Sequence, residues 1–166
     1  MEDEEPVRME IRRARGDAEL QECARLMAES EPWLTLGRGY DAGLRLLNDP
    51  AKEVHVAVGA EGVLGFVVLD MRGAFVGYLQ TIAVKARFRG RAVGRALIRF
   101  AEDRIFSESP NVFLCVSSFN ERARALYLRL GYRVVGELPD FVVPGHSELL
   151  LRKTIGPWRD FRPGRP

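Results

Sequence analysis

Between Val84 and Asp103 the chain reads VKARFRGRAVGRALIRFAED, and this stretch gathers arginines and small residues at one point of a chain that is nearly neutral overall. Arg87, Arg89, Arg91 and Arg95 surround Gly90, Ala92 and Gly94 where an apolar strand-like segment gives way to a helical repeat. A helix N-terminus offers unpaired backbone N–H groups and the positive end of the helix dipole, so it favours an anion. Small residues let that anion approach the main chain, and successive N–H groups in such a turn form a concave nest. Arginines add charge-assisted hydrogen bonds. The chemistry that fits is the holding of a diphosphate. The GxxxxGK[ST] spacing of a P-loop is absent, the GxGxxG pattern fails, and no parallel βαβ unit with a downstream acid follows. Taken alone, the same residues also fit a solvated basic loop or a nucleic-acid patch.

The elements that would position this loop follow from periodicity. Residues 8–14 predict a first strand. Asp17 is expected to cap a helix whose apolar face holds Leu20, Cys23, Ala24 and Met27. SEPWLTLGRG interrupts it, and a second short helix is expected over 40–47, ended by Asn48-Asp49-Pro50. Residues 53–71 alternate and are rich in valine, which predicts an antiparallel hairpin turning at Glu61-Gly62. Residues 75–84 read as the next strand. The helix after the arginine loop repeats Val93, Leu97, Ala101 and Ile105, with Arg99 and Asp103 expected as an i,i+4 pair. Residues 111–117 read as a buried strand. Asn120 then opens a helix carrying Ala123, Leu126, Tyr127 and Leu130, stopped at Gly131. YRVVGEL and SELLLRKT are two closing strands. The order β-α-α-β-β-β-α-β-α-β-β predicts an α/β (mixed α+β) fold, a single mixed sheet with helices on both faces.

Composition bounds the possibilities. At 166 residues, with 46% hydrophobic and 29% charged residues, the chain is expected to form one domain over 8–155. An acidic tail over 1–7 is expected to be disordered, and a Pro/Gly/Arg-rich tail over 156–166 loose. A net charge of +2 argues against coating nucleic acid. No apolar run is long enough to span a membrane, and the acidic N-terminus lacks the apolar core of a secretion signal. Two separated cysteines, Cys23 and Cys115, read as small buried residues, and with only His55 and His146 beside them no metal-ligand cluster is visible. A reduced, cytoplasmic protein is the expectation.

A second stretch sharpens the first. Arg87-x-x-Gly90-x-Ala92 resembles the R/Q-x-x-G-x-G/A signature of the GNAT superfamily of acyl-CoA-dependent N-acetyltransferases, and TIAV before it resembles that family's fourth strand. SSFNERARALYLRLGY, 117–132, resembles the second signature, an Asn followed by Ala, Tyr and a Gly-aromatic pair. The resemblance runs from about 8 to 154. It implies the GNAT fold, with a mostly antiparallel sheet splayed between its fourth and fifth strands, and acetyl-CoA as acyl donor without a metal. It implies that the backbone of Ile82, Ala83 and Val84 holds the pantetheine arm as an added strand. N–H groups from Arg89 through Gly90, Arg91, Ala92, Val93 and Gly94 to Arg95 would bind the pyrophosphate. Asn120 would touch the pantetheine or a nearby water, with Ala123 beside it. Tyr127 would protonate the departing thiolate.

Several readings stay open at this stage. Tyr127 lies on an apolar stripe and fits a core tyrosine as well as a proton donor. Asn120 fits a helix cap as well as a ligand. Gln80 stands where many family members carry a catalytic Glu, and it cannot accept a proton. A base could instead come from Glu148 or His146, or from a water held by Gln80 and Tyr78. Without an obvious base the acceptor tilts towards α-amines, already about a tenth neutral at pH 7, over lysine. Protein N-termini, ribosomal proteins, amino acids and polyamines are all candidates, and monomer and homodimer are both compatible. Trp33 is either a core anchor or a substrate-facing aromatic, and Trp158 is read as a packing or dimer contact. A non-catalytic acyl-CoA-binding module is the alternative that Gln80 motivates.

Overall fold

In a computed structural model of the chain, which describes residues 7–164, seven strands form a single sheet in the order β1-β2-β3-β4-β5-β7-β6. The elements are β1 (Glu10–Arg13), α1 (Gly16–Ala28), α2 (Tyr40–Leu47), β2 (Lys52–Gly59), β3 (Gly62–Asp70), β4 (Tyr78–Val84), α3 (Val93–Phe106), β5 (Asn111–Ser117), α4 (Glu121–Arg129), β6 (Arg133–Pro139) and β7 (Ser147–Thr154). All neighbouring strands pair antiparallel except β4 and β5, which run parallel. The expected element order and the mixed sheet are both present. The acidic tail expected to be disordered lies, apart from Val7, outside the described residues.

Valine alternation in β2 and β3 fills both faces of the sheet. One face packs Leu64, Val67 and Leu69 against Val93, Leu97, Ala101 and Ile105 of α3 and Tyr127 of α4. The other packs Val63, Phe66 and Val68 against Cys23, Ala24 and Met27 of α1 and Leu47 of α2. Burying side chains of this size contributes about 1.5–3 kcal/mol each, so the two helix layers hold the sheet from both faces.

Three local expectations give way to tertiary contacts. Asp17 is not the α1 cap. The helix starts at Gly16, and the Arg15 N–H donates to Glu19 Oε2 at 2.7 Å, a carboxylate also gripped by Arg12 at 2.8 and 3.0 Å. On α3 the i,i+4 ion pair is Arg104–Glu108 at 2.8 Å, not Arg99–Asp103. Arg104 also forks onto Glu53 of β2 at 2.7 and 3.0 Å, which fastens α3 to the sheet. The C-terminal tail expected to be loose folds back, with the Gly164 N–H donating to the Ser107 carbonyl at 3.2 Å and Trp158 edge-on to Phe161 at 5.7 Å.

His55 in β2 is 5% exposed and stacks on Phe100 of α3 at 4.8 Å between ring centroids. Burial first, and the neighbouring Arg13 second, push its imidazole down to about 4. The unfolded chain takes up this proton near pH 6.5 and the folded chain only near 4, so the stabilising effect is complete above 6.5 and is lost as pH falls towards 4. Stability is expected to drop by about 2 kcal/mol between pH 7 and pH 5, before most carboxylates titrate, and His55→Leu should flatten that window. Urea unfolding at the two pH values measures it.

Candidate active site

The site forms where β4 and β5 separate. Their ladder holds a single pair, Tyr78↔Phe113, supported by the Phe113 N–H donating to the Gly77 carbonyl at 2.9 Å. Beyond it the two strands diverge towards their C-terminal ends, the end of a parallel pair where open α/β sheets bind ligands. Gly77 makes the close start possible. Its φ is +89°, and a Cβ there would lie 2.4 Å from Ile105 Cγ2 and 2.5 Å from the Asn111 carbonyl oxygen. That turn also explains why β4 begins at Tyr78 rather than at residue 75.

A bulge re-aims β4 within the opening. Val68 of β3 faces Thr81 and Leu69 faces Leu79, so Gln80 is the extra residue. The bulge swaps the faces of the strand: Leu79 joins the core under α3, and Ala83 joins the core under α1 and α2. From Leu79 to Val84 the β5-facing edge of β4 has no strand partner, while β5 pairs along its other edge with β7 from Asn111↔Thr154 to Ser117↔Glu148. A cleft of about 770 Å³ occupies the gap and is lined by Gln80, Ile82, Asn120, Ala123 and Tyr127 among others.

At one end of β4 the chain makes a short 3-10 turn, Ala86–Phe88, and then enters α3 through two left-handed residues, Gly90 at φ 83° and Ala92 at φ 64°. A Cβ at Gly90 would find nothing within 4 Å, and one at Gly94 would meet only Val84 Cγ2 at 3.6 Å. The chain therefore leaves room above the first N–H groups of α3, and this turn fits an anion such as the diphosphate of acyl-CoA. The arginines are less free than their number suggests. Arg87 pairs with Glu61 at 2.7 Å, and Arg89 donates from Nε to the Val84 carbonyl at 3.0 Å. Of the backbone N–H groups, those of Arg89 and Arg91 donate to the Ala86 and Phe88 carbonyls at 3.2 and 3.4 Å, which leaves Gly90 and the first turn of α3 as the groups that fit an anion.

The floor of the cleft is polar. Asn120 is both cap and cleft residue: its Oδ1 accepts from the Ala123 N–H at 3.3 Å while it lines the opening. Tyr127 is 5% exposed, packs edge-on to Tyr132 at 5.5 Å, and faces the same cleft; burial alone pushes its phenol well above the usual range. Glu148 is 7% exposed and accepts a 2.6 Å hydrogen bond from the Ser117 hydroxyl. Beside it, burial and then a hydrogen bond with Cys115 push the Tyr78 phenol up, and burial raises the Cys115 thiol as well. Gln80 Oε1 is buried with no hydrogen-bond partner among the described residues.

The cleft thus collects Gln80, Tyr78, Ile82, Asn120, Ala123, Tyr127, Glu148 and Trp33. Trp33 is 7% exposed, packed in the α1–α2 core and also part of the cleft wall. His146 is not brought into the lining; it stacks edge-on against Phe119 at 4.9 Å. Ser117, Cys115, Arg38 and Arg72 also line the cleft and carry no motif. The signal that could have found Ser117 and Cys115 is their position near the C-terminal end of the strand parallel to β4. Cys115, expected to be simply buried, opens on the cleft.

Ala92 holds a left-handed φ that costs an L-residue about 1–2 kcal/mol, partly offset in a glycine by the 0.5–1 kcal/mol entropy of the more flexible unfolded chain. Ala92→Gly is therefore expected to stabilise the free protein by about 0.5–1 kcal/mol, read by thermal or urea unfolding.

Comparison with known proteins agrees with this geometry. Residues 18–132 match the model of the acetyltransferase (GNAT) family. A Mycobacterium leprae protein is 30% identical over 147 residues, 82% of this chain and 38% of its own length. An N-acetyltransferase of Methanocaldococcus jannaschii is 31% identical over 101 residues, 53% of this chain and 65% of its own. The chain thus spans less than two thirds of either relative. An aminoglycoside 6'-N-acetyltransferase solved with coenzyme A superimposes with a TM-score of 0.70 at 18% identity, over 95% of this chain and 99% of that one, a likeness of fold. Among the described residues no helix is long and apolar enough to cross a membrane. With the sheet parted at β4 and β5, the bulge at Gln80 and a family match over most of its length, the chain belongs to the GNAT acetyltransferase family.

Proposed function

We propose that this chain transfers an acetyl group from acetyl-CoA to a primary amine by direct attack, with both substrates in the cleft at once. The observation that carries this reading is that one cleft contains the unpaired edge of β4, the Tyr127 phenol and the buried Glu148 carboxylate. When bound, the acetyl thioester supplies an electrophilic carbonyl and a thiol leaving group. Main-chain groups of Ile82, Ala83 and Val84 would hold the pantetheine as an added strand. Of the N–H groups from Arg89 to Arg95, those of Gly90, Ala92, Val93, Gly94 and Arg95 would hold the pyrophosphate, since the Arg89 and Arg91 N–H groups already donate to the Ala86 and Phe88 carbonyls. An N–H of β4 aimed at the thioester oxygen would contribute roughly 10²–10³ in rate, as single oxyanion donors do.

Burial keeps the Tyr127 phenol protonated at working pH, so it has a proton to give the departing sulfur. A phenol raised above its usual value is a weaker acid than a thiol near 8.5, which holds the gain to the low end of the general-acid range. Glu148 takes the role that Gln80 cannot. An amine entering as its ammonium form must lose a proton before it attacks, and Glu148 is the buried carboxylate in the cleft. The Ser117 hydroxyl directs one of its oxygens by the 2.6 Å bond. This placement of Glu148 supports the catalytic reading over that of a binding module. His146 has no part in the scheme.

Tyr127→Phe deletes only the proton donor. Turnover is expected to fall by about 10²-fold or more with acetyl-CoA affinity within a few-fold, whereas a loss below about threefold would remove Tyr127 from the mechanism. Glu148→Gln should lower kcat/KM about tenfold at pH 7 and recover towards pH 9, where an α-amine with a pKa near 8 deprotonates unaided. A flat deficit across that range would show that Glu148 does not accept the proton. Gly94→Glu should fold, since a Cβ there makes only an ordinary contact with Val84, yet abolish acetyl-CoA binding in calorimetry. Mass spectrometry over peptides, amino acids and polyamines reveals the acceptor.

A further inference from the structure

The rim of the cleft carries a charge pattern that acetyl transfer does not itself require. Arg38, in the segment between α1 and α2, and Arg72, in the segment between β3 and β4, both line the opening with exposed side chains. Their backbones are held: the Arg38 N–H donates to the Trp33 carbonyl at 3.0 Å and the Arg72 N–H to Asp70 Oδ1 at 2.9 Å. Neither guanidinium makes an ion pair among the described residues. The acids of the same rim are engaged. Asp70 pairs with Lys52, and Glu31 accepts from the Thr35 N–H at 3.2 Å and its hydroxyl at 3.0 Å.

The same lining also carries exposed aromatic surface. Phe75 and Phe141 line the cleft while remaining 51% and 62% exposed, apolar surface that a ligand with an apolar body would cover. The cleft lining thus combines two exposed cations outside any ion pair among the described residues, exposed aromatic surface and one buried carboxylate. The complement is an anion, an apolar body and an ammonium group.

Resting on the amine-acetylating reading above, we infer that the acceptor is a primary amine that also bears a carboxylate, with an apolar or aromatic body, in the manner of a short peptide with both termini free. The amine is drawn to Glu148 and the carboxylate to Arg38 and Arg72, where charge-assisted and bidentate bonds are available. A polyamine meets the opposite situation. Its further ammonium groups would lie beside two arginines. Of the rim acids Asp70 is paired with Lys52, and only Glu31, bonded to the neutral Thr35, keeps a charge unpaired among the described residues, so the cations outnumber it and select against a polyamine.

The test compares alanyl-phenylalanine with its C-terminal amide and with spermidine as acceptors. The free acid is expected to have a kcat/KM roughly tenfold or more above the amide, and spermidine to be poorer than either. In Arg38→Gln/Arg72→Gln the ratio of free acid to amide should fall towards one, while the single Arg→Lys changes keep most of it. If the amide or spermidine is acetylated as well as the free acid, the inference is overturned and amine acetylation stands. Calorimetric titration of the same dipeptides into protein saturated with coenzyme A supplies a readout without turnover. Tighter binding of the free acid than of the amide supports the inference even if no acetylation is seen, an outcome that overturns only the catalytic reading. Equal or absent binding overturns the inference.

Discussion

Everything at the site depends on β4 and β5 meeting at one residue pair and then separating. Two neighbouring parallel strands would ordinarily satisfy one another's backbone groups along their length, and an unpaired N–H or C=O inside a protein is costly. Here the ladder stops after Tyr78↔Phe113, and β5 is committed to β7 on its other edge. The β4 edge is left unpaired beyond Tyr78, and the proposed acyl-CoA arm would complete it as an added strand. Gly77 permits the contact at the near end, and the bulge at Gln80 turns the strand within the opening.

The rest of the fold keeps this gap open against collapse. Two cores on opposite faces of the sheet brace β3 and β4, and Arg104, forked onto Glu53, ties α3 to β2. α4 begins just beyond β5 and its N-terminal residues Asn120 and Ala123 line the cleft, while α3 follows β4 after the short 3-10 turn. At the α3 end the left-handed Ala92 spends backbone strain to turn the first N–H groups outward. At the α4 end Asn120 caps the helix and lines the cleft. The buried Glu148 is reached only because β7 lies against β5 in the register that sets Ser117 opposite it.

Element order and the left-handed turn of small residues before α3 were legible in the sequence, because both are local. Valine alternation over 52–70, the Val93–Ile105 repeat and the small residues at 90, 92 and 94 each report on their own segment. Features that were missed or misjudged are those set by partners distant in sequence. Asp17 has the residue type of a cap, yet Glu19, braced by Arg12 from β1, bonds the first N–H instead. Arg87 and Arg89 promised phosphate contacts, but Glu61 on the β2–β3 turn and the Val84 carbonyl engage their side chains. Glu148 could be read equally as an exposed strand residue, since its burial and its bond to Ser117 arise from a pairing across 31 residues. Gly77 gave no local sign of its role, because the atoms it must clear belong to α3 and β5.

The central claim is that the unpaired edge of β4 and the first turn of α3 form the acyl-CoA site. Amide hydrogen exchange, resolved by residue with and without coenzyme A, tests it most directly. The account predicts that slowed exchange concentrates at those amides of Leu79–Val84 that do not bond β3, and at Val93, Gly94 and Arg95, with β1 and β2 unchanged. Tight coenzyme A binding that leaves both segments exchanging as in the free protein would contradict it.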